Sequence, residues 1–387
     1  MHLHKYDALL AVGARHSIVS GDVRSLDHFI KKHRGWKFGH LSYELKNQLH
    51  GYTGRKEDLV GFPDFHFFVP EILLQLQHDG LSIFAEDPSL VYRQISEQET
   101  GNGPGPSIVS ISQKLSKNEY IQKIEKLKQH ILRGDCYEIN FCQEFFAGDT
   151  EIDPLDVYLR LAETSPNPFS AFYRYHDSYL ACASPERFLA RQGNTIISQP
   201  IKGTIARDLL NKSHDEQLKN ELKHSAKDQA ENVMVVDMVR NDLTQVCKDA
   251  TVKVDELFGI YSFPQVHQMI STISGELKEN ISFSEILKAS FPMGSMTGAP
   301  KRKVMELIDE YEESARGIFS GSVGYIDPEN NFDLNVVIRS IMYNAKEKYL
   351  SYQLGSGITF YSDPEKEWEE CLLKGEAIRK VLGVGVD

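Results

Sequence analysis

The stretch that decides the fold runs from Phe319 to Leu354, FSGSVGYIDPENNFDLNVVIRSIMYNAKEKYLSYQL. Phe319–Ile326, Asp333–Asn344 and Tyr349–Leu354 are rich in β-branched and aromatic residues, and polar turn clusters separate them. Strands joined by turns this short run antiparallel, because a parallel pair needs a crossover of a dozen residues or more. Upstream, Ser178–Ala190 and Asn194–Ser198 have the pattern of a hairpin turned at Gly193-Asn194, and Tyr137–Phe146 alternates apolar and polar residues like a strand. Trp36–Tyr43 reads as a further strand, and Asp58–Pro70 is rich in aromatics.

Helices fall between these runs. Ser116 and Glu119 form a capping box, Tyr120, Ile121, Ile124, Leu127 and Ile131 line one face, and Gly134 supplies the stop. Lys227–Arg240 and Pro300–Glu313 read as helices, and Ser362-Asp363-Pro364-Glu365 opens a last one. Strands in runs with inserted helices, not strict alternation, predict an α+β fold built on antiparallel sheet. The Gly- and Pro-rich segment Glu97–Pro106 reads as a linker. It divides residues 1–106, expected to contribute strands to the same fold, from residues 107–387, which carry the chemistry.

The chain has 387 residues, 41% hydrophobic and 25% charged, enough for a sizeable globular core. A net charge of −12 disfavours a nucleic-acid or anionic-membrane partner. Five scattered cysteines, without a CxxC pair, give neither a disulfide framework nor a zinc site, and a cytoplasmic setting is expected. No apolar run approaches the ~18 residues of a membrane span, and Met1–Arg15 lacks signal-peptide order.

Several residues point to chemistry. Lys202, in Pro200-Ile201-Lys202-Gly203-Thr204, is either an ordinary solvated lysine or a buried amine able to act as a nucleophile. Asp228 with Glu231, and Glu367 with Glu370, are carboxylate pairs on helix faces, with Lys374 one turn beyond the second pair. They are solvated faces unless they converge, in which case they suit Mg²⁺, which takes one or two protein carboxylates and keeps several waters. The run Asp237–Asp242 is expected to close its helix with its own polar network.

Gly355-Ser356-Gly357 and Gly294–Pro300 are turns able to aim backbone N–H groups at an anion, though neither is a phosphate loop. Tyr325 and Arg339, on strands flanking the 327–331 turn, are either a surface pair or a carboxylate clamp. His267 and Glu186 are by default a satisfied structural histidine and a salt-bridged loop acid. No nucleophile elbow of a hydrolase is present.

Taken together, SPERF, PIKGT, DQAENVMVVDMVRND, SMTGAPK, the GYID–IRS segment and GSGI followed by EWEE resemble the chorismate-utilising enzyme family over roughly Ser116–Leu382. The resemblance implies two antiparallel sheets packed with helices around a central cleft that binds chorismate with Mg²⁺. It implies Glu231 and Glu370 as metal ligands, with Asp228 and Glu367 acting through water. Tyr325, Arg339 and the Gly357 amide would hold the enolpyruvyl carboxylate, with Gly355 also among the substrate-binding residues. Lys374, Gly203 and Thr204 would lie by the other carboxylate and ring, and Thr297 and His267 near the C4 hydroxyl or the ether.

Lys202 is the mark of the family's branch that forms 4-amino-4-deoxychorismate, a step toward para-aminobenzoate and folate; anthranilate-forming members usually have Ala there. The lysine amine, which must be neutral, would attack ring C2 as the C4 hydroxyl leaves, with Glu186 as general acid. Ammonia would then add at C4. Glu138 departs from the pattern: water-adding members carry Lys there and amine-adding members commonly Gln. This argues against isochorismate or salicylate synthesis and gives Glu138 no positive role. No glutaminase elbow occurs, so a separate glutamine amidotransferase subunit is expected to deliver ammonia. The competing expectations are an anthranilate-forming enzyme, a non-catalytic chorismate-binding regulatory subunit and an unrelated metal-dependent hydrolase.

Overall fold

The computed structural model describes residues 6–54, 56–78, 80–98 and 109–384. Of the expected linker, residues 99–106 lie outside the described residues; the helix Pro88–Glu97 leads up to it. Among the described residues, strands form three antiparallel sheets of ten, seven and three strands. The fold is α+β, as the strand runs predict.

In the ten-stranded sheet, Ile201–Ala206, Val266–Glu276, Thr195–Gln199, Arg187–Gln192, Phe332–Asn335 and Ser322–Ile326 lie side by side. Lys37–Leu41, Phe65–Val69 and His16–Val19 extend it, so the first hundred residues add strands to the sheet that holds Lys202. Glu138–Ala147 and Tyr349–Thr359 form the centre of the seven-stranded sheet, paired from Leu350↔Ala147 to Thr359↔Glu138. The third sheet (Ala8–Val12, Ile72–Gln77 and Gly80–Phe84) was not expected.

Alternation sorts the seven-stranded sheet into two faces. Leu180, Cys182 and Met342 join the core that continues into the ten-stranded sheet. Ala181, Ala183, Ile341 and Tyr343 join a second core under the helices Lys117–Leu132, Pro154–Thr164 and Pro364–Lys374. The first of these helices has the predicted capping box, with Tyr120, Ile124 and Leu127 buried. Gly134 follows it at φ +82°, a left-handed conformation that glycine adopts freely. All five cysteines are free and buried. No helix among the described residues is long and apolar enough to cross a membrane.

Two stretches expected as single strands each split between sheets. Ser178–Ser184 belongs to the seven-stranded sheet and Arg187–Gln192 to the ten-stranded one, with Pro185 and Glu186 between them. Likewise Phe332–Asn335 and Ser340–Asn344 lie in different sheets, joined through Val336–Arg339. Pro185 has no N–H for a ladder, and Arg339 turns the chain with φ +53°. The two crossings lie side by side and satisfy each other: Ala183 N–H donates to Arg339 O at 3.1 Å, and Val336 N–H to Glu186 O at 3.0 Å.

The helix expected over Lys227–Arg240 spans Ala226–Val246. Leu243 and Val246 are buried, so the apolar face carries the helix past the polar run instead of ending it there. Within that run Asp242 reaches out to Lys301 at 2.7 Å, while Arg240 pairs with Asp237 at 3.0 Å.

Candidate active site

Lys202 stands in a bulge. Ile201 pairs with Ile270 but Thr204 with Gln268, so three steps on one strand face two on the other and an extra residue is pushed out of the ladder. Gly203 occupies the bulge at φ +87°, and a Cβ there would come within 3.0 Å of the Asp228 carboxyl. Only glycine lets the lysine strand approach the helix of Asp228 and Glu231 this closely.

The bulge aims Lys202 across to the seven-stranded sheet, where Nζ meets Oε1 of Glu138 at 2.6 Å. Both side chains are shielded, 11% and 2% exposed. The other oxygen of Glu138, Oε2, is buried without a protein partner. Gly357 faces the pair; a Cβ there would be 3.0 Å from both Oε1 and Nζ. Burial alone would push the Lys202 amine down, but the carboxylates of Glu138, Glu231 and Glu186 outweigh it and hold the amine above its ordinary value. The neutral resting amine expected above is therefore not what the fold supplies. At rest Lys202 is a paired cation.

Glu186 lies at the first sheet crossing. Burial raises its carboxyl to about 7, against the lowering influence of Ser295 and Lys202. It is no salt-bridged loop acid. The adjacent Arg187 takes the ion pair, with Asp333 at 2.8 Å. A cavity of about 20 Å³, room for one water, touches Glu186, Ser295, Pro200 and Met293. Ser295 Oγ is buried beside the Glu186 carboxyl, on which it acts. Thr297 is fully buried, its hydroxyl donating to Met293 O at 3.0 Å and its carbonyl accepting from Asn140 N–H at 2.7 Å.

His267 keeps its default role in this structure. Nε2 meets Asp215 Oδ1 at 3.0 Å and Nδ1 meets Ser262 Oγ at 2.8 Å, so both ring nitrogens are occupied within the fold. Thr204 is its near neighbour, one residue before the Ile205 that pairs with His267.

The carboxylates gather around cations of the chain. Glu231 lies 3.8 Å from Lys227, and Glu370 lies 2.8 Å from Lys374. Lys227 is held above its ordinary value: burial opposes, but Glu231, Glu367, Glu370 and Asp228 together prevail. Burial raises Glu231 to about 7, helped by Glu138 and Glu370, whereas Lys374 keeps Glu370 low. Among the described residues no three His, Cys, Asp or Glu side chains converge as a metal cage. All four carboxylates act on Lys227, with Lys227 closest to Glu231 and Lys374 paired with Glu370. Two carboxylates still fit an ion that keeps most of its waters, as Mg²⁺ does.

Arg339 is half-buried, and desolvation lowers its guanidinium to about 10. Its Nη1 donates to Lys374 O at 2.5 Å, and Lys374 Nζ donates to Gly355 O at 2.9 Å. Arg339, Lys374, Gly355 and Glu370 are thereby one connected group. Tyr325 does not join it. It pairs in register with Asp333, and its ring lies 5.4 Å from Trp36 and 6.2 Å from Phe38. Arg339 lies at the second crossing, outside the strand that pairs with Tyr325, and the two side chains make no direct hydrogen bond.

Lys227 and Ser295 were not anticipated. The i,i+4 spacing of Lys227 and Glu231 was a readable signal for the first. Nothing local marks Ser295, which gains its place only when the 294–297 turn packs against Glu186.

The model of the family described as chorismate binding enzyme matches residues 14–380. The chain is 43% identical over 270 residues to a protein of Oryza sativa subsp. japonica named as probable aminodeoxychorismate synthase, chloroplastic. That match covers 69% of this chain but only 30% of the rice protein, so the chain spans under a third of that relative. It is 34% identical to aminodeoxychorismate synthase component 1 of Salmonella typhimurium, over 88% of this chain and 75% of the other. The structure of anthranilate synthase component I from Streptococcus pneumoniae superposes with a TM-score of 0.86 at 23% identity, covering 96% of this chain and 92% of that one.

Proposed function

Since the chain belongs to the chorismate binding enzyme family, we propose that it aminates chorismate at C4, giving 4-amino-4-deoxychorismate with ammonia from a separate glutamine amidotransferase subunit. The observation that carries this reading is Lys202: its amine projects from the strand bulge toward the facing sheet, paired with Glu138 and within the influence of the Glu186 carboxyl. The relatives named as aminodeoxychorismate synthases support it.

Each residue then has a task. Lys202 is the nucleophile toward ring C2. Glu186, with a carboxyl near 7, donates the proton with which the C4 hydroxyl departs as water. Half-buried Arg339 offers a guanidinium fork to a substrate carboxylate. Gly203 and Gly357 let the backbone pack closely against Asp228 and against the Lys202–Glu138 pair, where a side chain would displace them. Glu231 and Glu370 would hold Mg²⁺, with Asp228 and Glu367 acting through its waters. The ion's contribution when bound is to offset the charge of a substrate carboxylate.

The test is mass spectrometry of the products formed from chorismate, ammonium and Mg²⁺. Aminodeoxychorismate is expected. Anthranilate with pyruvate would refute the proposal in favour of ring amination at C2, and no turnover at all would leave a binding subunit.

A further inference from the structure

Glu138 is the one buried acid in the cleft for which the scheme above has no use. It meets Lys202 at 2.6 Å through Oε1, its Oε2 has no partner, and Gly357 packs so closely against the pair that a Cβ there would lie 3.0 Å from both Oε1 and Nζ. The other carboxylates acting on Lys202 are Glu231, Glu186 and Glu370, and none comes within 4.0 Å of its amine. We propose that Glu138 is a catalytic proton acceptor, taking the proton of Lys202 when the amine becomes a nucleophile and returning it when the amine leaves. This deepens the reading of Lys202 given above and rests on it.

The physical reason is the cost of buried charge. An ion pair out of water carries a desolvation penalty for each member, and moving one proton across 2.6 Å removes both charges. Oε2 is buried with no hydrogen-bond partner, so Glu138 has a free oxygen on the carboxylate that faces Lys202.

The steps balance. The proton passes from the Lys202 ammonium to Glu138, leaving a neutral amine beside a carboxylic acid. The amine lone pair forms the bond to C2, the two conjugated ring double bonds each shift by one position, and the C4–O bond breaks with a proton from Glu186, releasing water. Ammonia then bonds to C4, both double bonds shift back and the C2–N bond breaks with its electron pair returning to the amine. A proton of the new ammonium restores Glu186, and Glu138 returns its proton to the freed amine.

Glu138→Gln keeps the shape and removes the acceptor. Two readouts follow: competitive acetylation of Lys202 against pH, read by peptide mass spectrometry without substrate, and kcat against pH with saturating ammonium. In the variant, burial acts on the amine without its nearest counterion, so the acetylation midpoint is expected to move down by at least about one pH unit. At neutral pH kcat is expected to fall roughly 10²-fold and to recover as pH rises, because the proton must then leave to solvent. An unchanged midpoint or an unchanged kcat profile overturns the proposal. If Glu138→Gln does not fold, Glu138→Asp replaces it: slower turnover with a wild-type pH profile is expected, and wild-type kcat refutes. Lys202→Ala, run in parallel, separates the two ideas. Normal product from Lys202→Ala removes the nucleophile itself, whereas an inactive Lys202→Ala beside an unaffected Glu138→Gln removes only the acceptor.

Discussion

Glu186 is held by the fold in a place that suits its protonated form. Its value of about 7 lies above the 4.5 of an exposed glutamic acid, so the folded state binds the proton more tightly than the unfolded chain. Stability from this group is full below about 4.5 and is lost as pH rises through 7. Glu186→Gln is therefore expected to melt higher than wild type on the alkaline side, by up to about 3 kcal/mol, with the difference vanishing in acid. Its turnover should fall roughly 10²- to 10⁴-fold at every pH. Thermal melts on both sides of neutrality check the first expectation, and a variant less stable at alkaline pH would contradict it. Lys202 and Glu138 show the same strain in another form: each is tolerable only while the other is present.

Among the elements, the strand Tyr349–Thr359 bears on catalysis through a missing side chain. Gly357→Ala would place a Cβ 3.0 Å from both members of the Lys202–Glu138 pair, tighter than such contacts ordinarily are. The pair must then shift by a few tenths of an ångström. Turnover is expected to drop about tenfold or more, since displacements of 1 Å cost about 10²-fold, while the melting temperature changes little. Wild-type kcat in this variant would show that the pair needs no fixed position. How far such elements can be read from the chain depends on where their cause lies. The helix at Lys117 is legible because Ser116, Glu119 and Gly134 write its ends locally. The break at Pro185 was also written in the sequence, by a residue without an N–H. The break at Val336–Arg339 has neither Gly nor Pro, and its cause is the neighbouring crossing, 150 residues away in the chain. The same limit hid the Lys202–Glu138 pair, whose members lie 64 positions apart and meet only because two sheets face each other.

At the scale of the whole molecule, a buried hydroxyl ties the N-terminal strands to the opposite sheet. Tyr173, on the strand Phe169–Tyr175, meets His40 Nδ1 at 3.0 Å and His66 Nδ1 at 2.6 Å, donating to one ring and accepting from the other. Burial lowers His40 to about 3 and His66 to about 4, so both rings are neutral in the folded protein. An unfolded histidine titrates near 6.5, so this contribution is intact above that value and is lost as pH falls toward 4 and below. Denaturation curves should show stability declining from about pH 6.5 downward. Tyr173→Phe should cost about 1–3 kcal/mol at neutral pH by leaving polar ring atoms unpaired. Equal stability of that variant would mean that the tie carries no weight.

The side-by-side crossings also fix a reading frame for the architecture. Beyond Arg339, Met342 faces one core while Ile341 and Tyr343 face the other. Deleting a single residue between Val336 and Arg339 would exchange these faces along the whole following strand, moving Tyr343 into the first core and Met342 into the second, where neither shape fits. The loops at Asp327–Asn331 and Ala345–Lys348 can change length without that consequence, because a turn can absorb the difference. The four residues of the crossing cannot, and their number is as fixed a property of this protein as any side chain in its cleft.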